Sequence, residues 1–92
     1  MALKHTVVTI GASATQMSST RESLKWLKIT NVTGNDPVKI GDSTVSATDY
    51  GASIPSGGTE EIGPFGQGAV NTTELYLSGT QNDKVYILYV TH

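Results

Sequence analysis

Gly66-Gln67-Gly68 followed by Ala69-Val70-Asn71 begins like a glycine-rich dinucleotide loop, where backbone amides at a helix N-terminus would hold a pyrophosphate. The third glycine of that pattern is Asn71, and no helical periodicity follows it, so the segment reads as a loop. Glu60-Glu61 offers two adjacent carboxylates for acid–base work, but neighbours on a strand point to opposite faces and cannot share one substrate. A serine nucleophile needs a positioned imidazole, and the only histidines, His5 and His92, lie close to the chain ends, where geometry is least controlled. Asp36, Asp42, Asp49 and Asp83 stand beside Gly, Asn or Ser, which is turn chemistry without the spaced oxygen ligands of a calcium loop. With no cysteine there is no disulfide framework, thiolate zinc site or thiol nucleophile. The residues thus read as those of a non-enzyme with no metal and no cofactor.

Charge narrows the partners. A net charge of −2 and six scattered basic residues leave no clustered Lys and Arg to displace counterions, so neither nucleic acid nor an anionic membrane is an expected partner. Charged residues are 15% of the chain, against roughly 25% in ordinary domains, and Ser plus Thr supply roughly a quarter of it. Covering hydroxyls costs less than covering ions, so such a surface suits burial by neighbouring subunits, a composition that extracellular β proteins share. Ala12-Ser13-Ala14 imitates a signal-peptidase site, but Val7, Val8 and Ile10, broken by Thr9, fall short of the roughly 7 to 15 apolar residues an export signal needs. Asn31-Val32-Thr33 and Asn71-Thr72-Thr73 match glycosylation acceptors and, in so Thr-rich a chain without an export signal, read as chance matches. No stretch approaches the ~18 apolar residues of a membrane span.

The elements that would position any site follow period two. Leu75-Tyr76-Leu77 and Val85-Tyr86-Ile87-Leu88-Tyr89-Val90 are β-branched and aromatic residues suited to a pleated surface. Strands are predicted at Thr6 to Ile10, Ala14 to Met17, Leu24 to Val32, Val38 to Gly41, Thr44 to Ala47, Thr59 to Ile62, Glu74 to Ser78 and Lys84 to Thr91. Only Gln16 to Lys28 has a helical alternative, from the capping-box spacing of Ser18 to Glu22, and its Ser and Thr content opposes it. Gly, Asn and Pro clusters separate the strands, and hairpins are expected around Asn35 and around Asn82. The expected fold is all-β, a small β-sandwich or jelly-roll-like barrel of about 7 to 8 short antiparallel strands in one domain, residues 1–92. Residues 1–23 are a candidate extended segment that packs on a neighbour.

The last strand is apolar on both sides: Val85, Ile87 and Tyr89 point one way, and Tyr86, Leu88 and Val90 the other. Leu24 to Val32 repeats this, with Leu27 and Ile29 opposed to Leu24, Trp26 and Val32. A second apolar face needs cover from this chain or another. Pro64 and Phe65 sit between glycines that let a neighbour approach closely, the alternative being a loop whose Phe65 caps its own core. The candidate interaction residues are therefore Trp26, Pro64, Phe65, Tyr86 and Leu88.

Read from Trp26-Leu27-Lys28-Ile29-Thr30-Asn31-Val32 through Pro37-Val38-Lys39-Ile40-Gly41-Asp42-Ser43-Thr44-Val45 and Ile54-Pro55-Ser56-Gly57-Gly58 to Leu75-Tyr76-Leu77-Ser78-Gly79-Thr80 and Lys84-Val85-Tyr86-Ile87-Leu88-Tyr89, the chain resembles small virion proteins of tailed bacteriophages, the head decoration (cement) and head-fibre types. The resemblance spans roughly Thr15 to Val90 and rests on alternations and turns rather than on a chemically constrained constellation. It implies a β-sandwich-like virion subunit, made in the host cytoplasm, often a homotrimer, that binds the capsid exterior where major capsid protein subunits meet. It carries over no functional residue. A tail or fibre protein, or a receptor- or carbohydrate-binding β module, is the alternative.

Overall fold

The computed structural model describes all residues, Met1–His92, and is an all-β sandwich of two four-stranded antiparallel sheets. The strands are β1 (Ala2–Thr9), β2 (Thr15–Gln16), β3 (Leu24–Asn31), β4 (Val38–Gly41), β5 (Ala52–Ile54), β6 (Thr59–Ile62), β7 (Tyr76–Ser78) and β8 (Lys84–Thr91). One sheet has the order β1-β8-β3-β6 and the other β2-β7-β4-β5. The long, strongly alternating strands build the first sheet, with β8 and β3 at its centre.

Period two does its work at the interface of the sheets. Val85 and Ile87 of β8, Leu27 and Ile29 of β3, and Ile40 and Leu77 of the opposite sheet are all buried in one apolar core. Residues 1–23 belong to the same unit: β1 pairs along its whole length with β8, and Val8, Ile10 and Met17 enter the core. Gln16 to Lys28 is not helical; it supplies β2, an irregular connection and most of β3.

Several expectations are corrected. The strand read at Thr44 to Ala47 is a turn, and the fifth strand is Ala52–Ile54. Asp42 is the reason: its carboxylate accepts from the Thr44 amide at 2.9 Å and hydroxyl at 2.6 Å, and its carbonyl accepts from the Val45 amide at 3.0 Å. These local bonds outcompete a ladder, and only Val45 of the segment turns inward. The turns at Asn35 and Asn82 are not hairpins, because each joins strands of different sheets, β3 to β4 and β7 to β8. Asn82 takes a positive φ of 77°, and its amide and that of Asp83 bend back on the chain beyond β1 and on Thr80. Leu24 is also reassigned. A bulge at Lys25 shifts the phase of β3, so Leu24 is buried beside Leu27 while Trp26 turns outward.

At the crossing from β3 to β4 a buried amide holds the layers together. Asn31, fully buried, donates through Nδ2 to the carbonyls of Asp36 and Ile54, both at 3.0 Å, and accepts from the Asn35 amide at 3.1 Å. Asn35 in turn donates to the Lys84 carbonyl at 2.8 Å. Asn31 and Asn35 together thus link β3 of the first sheet, β5 of the second and the start of β8.

Candidate interaction surface

Antiparallel register places the odd positions of β1 and the even positions of β8 and β3 on the outward side of the first sheet. Leu3, Val90 and Trp26 form one row; His5, Leu88, Lys28 and Glu61 the next; Val7, Tyr86, Thr30 and Thr59 the third; Thr9 and Lys84 the fourth. Two of the four rows are led by apolar side chains, the row between them carries Leu88, and the fourth is polar. Leu3 is 69% exposed, Val7 46%, Tyr86 48% and Leu88 39%, so no part of this chain covers them. Trp26 and Val90 are half-buried on the same side. The second sheet differs: its outward positions are Lys39, Ser53, Ser78, Gln16 and Tyr76, and Lys39 donates to Ser53 at 2.9 Å. The first sheet therefore exposes a group of apolar side chains among His5, Lys28, Glu61, Thr30 and Thr59, whereas the outward side of the second is mainly polar, with Tyr76 its one aromatic.

Of the five residues singled out from sequence, Trp26, Tyr86 and Leu88 share this face, while Pro64 and Phe65 lie on the loop after β6. That loop runs against Lys25 and Trp26. Gly63 has φ +124°, and a Cβ there would lie 2.9 Å from the Lys25 carbonyl, so the close approach requires glycine. Phe65 donates its amide to the Lys25 carbonyl at 2.7 Å, has its own carbonyl 3.0 Å from His92 Nε2, and packs its ring against the core, while Pro64 is exposed. Phe65→Ser should accordingly lower stability by about 1–3 kcal/mol, the scale of removing a partly buried large apolar side chain. Chemical denaturation checks this, and an unchanged midpoint would show that the ring contributes nothing to the core. Leu3 and Val7 escaped the sequence reading because only the register with β8 shows which side of β1 they occupy.

Elsewhere the chemistry is local. Glu60 and Glu61 do face opposite sides: Glu61 stands opposite Lys28 on the outward face, and Glu60 lines an open cleft of about 290 Å³ between the sheets with Ile40, Ala52, Ile62 and Leu75. A second cleft of about 280 Å³ lies in the loop after β4, where the Tyr50 ring sits 4.5 Å from Lys39 Nζ. Asp42 in this loop is held below the usual carboxylate range, first by the Thr44 hydroxyl and then by the Thr44 amide. A depressed folded-state value stabilises at pH above the unfolded carboxyl's range, and that contribution is lost as pH falls through the folded value. Thr44→Val should therefore raise the Asp42 titration midpoint in carbon-detected NMR; a midpoint that stays put would show the hydroxyl bond to be inconsequential. The ion pair Lys4–Glu22 raises the Lys4 value through its hydrogen bond.

Both glycosylation-like asparagines are buried and engaged. Asn31 makes the bonds described above, and Asn71 Nδ2 donates to Glu74 Oε1 at 2.8 Å. Gly66–Gly68 leads only to a short 3-10 turn, Thr72–Glu74. No group of three or more His, Asp or Glu side chains converges, and no helix is long and apolar enough to cross a membrane. No protein-family model, curated protein or solved structure matches this chain.

Proposed function

We propose that the chain is a virion structural protein of the tailed-bacteriophage type, which decorates and stabilises the capsid exterior through contacts with the major capsid protein and with copies of itself. The single observation that carries this reading is the contrast between an outward sheet face bearing Trp26, Tyr86, Leu88, Val90, Leu3 and Val7 and an opposite face of lysine, serine and glutamine with Tyr76 its one large apolar ring. A rigid sheet presenting apolar side chains without reorganisation suits a repetitive, flat partner. Binding the assembled lattice and not free subunits makes rupture of the lattice costlier by mass action, and many copies convert modest contacts into avidity.

A fibre or carbohydrate-binding module is the second reading, since Trp26 and Tyr86 are the aromatics of this face. Thr30 and Lys28 stand beside these rings, but aliphatic Leu88, Val90, Leu3 and Val7 make up most of the surroundings of Trp26 and Tyr86 on β1 and β8, which favours protein contact. Gold-labelled antibody against the chain should mark the heads of the particle whose genome encodes it; label confined to tails, or absent from particles, overturns the proposal. Retention on heads should change little between roughly 0.05 and 0.5 M NaCl, because an apolar interface is poorly screened by salt. Steep loss of retention over that range would assign the contact to Lys28 and its charged neighbours instead.

A further inference from the structure

The apolar face ends at β1, and β1 is an open edge. Which of its backbone groups are free follows from the ladder. Ile10 donates its amide to the Asp83 carbonyl and accepts from the Asn82 amide, both at 2.8 Å. Alternation along the strand then turns the N–H and C=O of Val8, Thr6, Lys4 and Ala2 toward β8 and those of Thr9, Val7, His5 and Leu3 away from it. The same phase follows from the far side of the sheet. Asn31 donates its amide to Gly58 beside β6, so Thr30, Lys28 and Trp26 bond to β8, which leaves Val85, Ile87 and Tyr89 for β1; these stand opposite Val8, Thr6 and Lys4. No hydrogen bond within the chain reaches the outward-turned groups of Leu3, His5, Val7 or Thr9.

Edges elsewhere in the fold are blunted. β6 has four residues, carries Glu60 and Glu61 and ends at Gly63-Pro64, while β5 has three residues and β2 two. β1 runs eight residues against β8 without a bulge and contains no proline. Its one lysine is already matched by Glu22 of the same chain, so the charge that would repel a second strand is neutralised.

The occupant is written in the strand itself. Ala2-Leu3-Lys4-His5-Thr6-Val7-Val8 is palindromic in polarity about His5, with apolar pairs at both ends and polar residues at the centre. Antiparallel self-pairing that joins the free groups has three central registers. Centring on Lys4 sets Leu3 against His5 and Ala2 against Thr6, and centring on Thr6 sets His5 against Val7 and Lys4 against Val8, so each mismatches apolar with polar residues. Centring on His5 sets Leu3 against Val7 on the outward face, Ala2 against Val8 on the inward face and Lys4 against Thr6, with His5 facing its own copy. We propose that a second copy of this chain adds to the edge of β1 about a two-fold axis at His5, joining the first sheets of both copies into one continuous sheet whose apolar faces lie side by side. The inference goes beyond the capsid reading and does not depend on it, and it assigns a two-fold pair where the resemblance implies a trimer.

Full-length protein should show a concentration-dependent dimer in sedimentation equilibrium between about 1 μM and 1 mM. His5→Pro removes a donor that points away from β8 and should weaken the dimer at least tenfold with the melting temperature nearly unchanged, whereas Thr6→Pro removes a β8-facing donor and should lower the melting temperature markedly. The chain lacks cysteine, so His5→Cys reports the register directly. Hydrogen-bonded antiparallel partners have Cα atoms about 5.5 Å apart, within disulfide range, so His5→Cys should cross-link on mild oxidation while Val7→Cys, far from its own copy, should stay reduced. A monomer throughout the range, a trimer, a dimer indifferent to His5→Pro, or a cross-link through Val7→Cys in place of His5→Cys would each overturn the proposal.

Discussion

Replacing Asn31 with leucine should destabilise the fold by about 2–4 kcal/mol, although the two side chains share the same branched skeleton of heavy atoms and the position is fully buried. Leucine withdraws both donors from the carbonyls of Asp36 and Ile54 and the acceptor from Asn35, whose own bond to Lys84 then loses its orientation. A buried carbonyl without its donor costs about 1–3 kcal/mol, and apolar gain from the leucine side chain offsets only part of the sum. In a domain of this length each kcal/mol lowers the melting temperature by about 4–8 °C, so a fall of roughly 8–32 °C is expected. Asn31→Asp should be no milder at neutral pH, because a carboxylate cannot donate to either carbonyl. Thermal denaturation of both variants tests the claim. A leucine variant within about 0.5 kcal/mol of the parent would show that the amide network is dispensable and that β-pairing alone holds the crossing.

The second large effect concerns binding rather than stability. Tyr86→Thr combined with Leu88→Thr should reduce retention on particles by about 30-fold to 1000-fold, which corresponds to the 2–4 kcal/mol typical of truncated central anchors. Both side chains point outward from β8, so the core formed by Val85, Ile87 and Tyr89 is untouched. Threonine keeps the strand propensity of the position, and stability should change by no more than about 1 kcal/mol. The paired substitution Lys39→Thr with Ser53→Ala on the polar face serves as the control and should leave retention unchanged. Equal loss from both faces, or none from the apolar one, would remove the outward face of the first sheet as the contact surface.

Fold class and most strand positions were legible because alternation is a local property of the chain. Val85 to Val90 announces two apolar faces whatever the rest of the molecule does, and Val38–Gly41, Thr59–Ile62 and Lys84–Thr91 occupy the positions expected from it. Ala52–Ile54 was hidden, since Ala52-Ser53-Ile54 is short and no more apolar than the turn before it, while Thr44 to Ala47 looked more strand-like until Asp42 claimed its amides. Turn chemistry at Asn35 and Asn82 identified where the chain reverses, yet a reversal within a sheet and a crossing between sheets use the same residue types.

What the sequence determined by itself is the inventory: an all-β chain without cysteine, with histidines near its ends and more apolar strand faces than one thin core consumes. Tertiary structure decided the assignments. The bulge at Lys25 turned Leu24 inward and Trp26 outward, pairing with β8 put Leu3 and Val7 beside Tyr86 and Leu88, and closure of the sandwich buried Asn31 among carbonyls it could satisfy. Each of these depends on which strands become neighbours and in what register. Period two tells that a strand has two faces, but which face meets the core depends on partners distant along the chain.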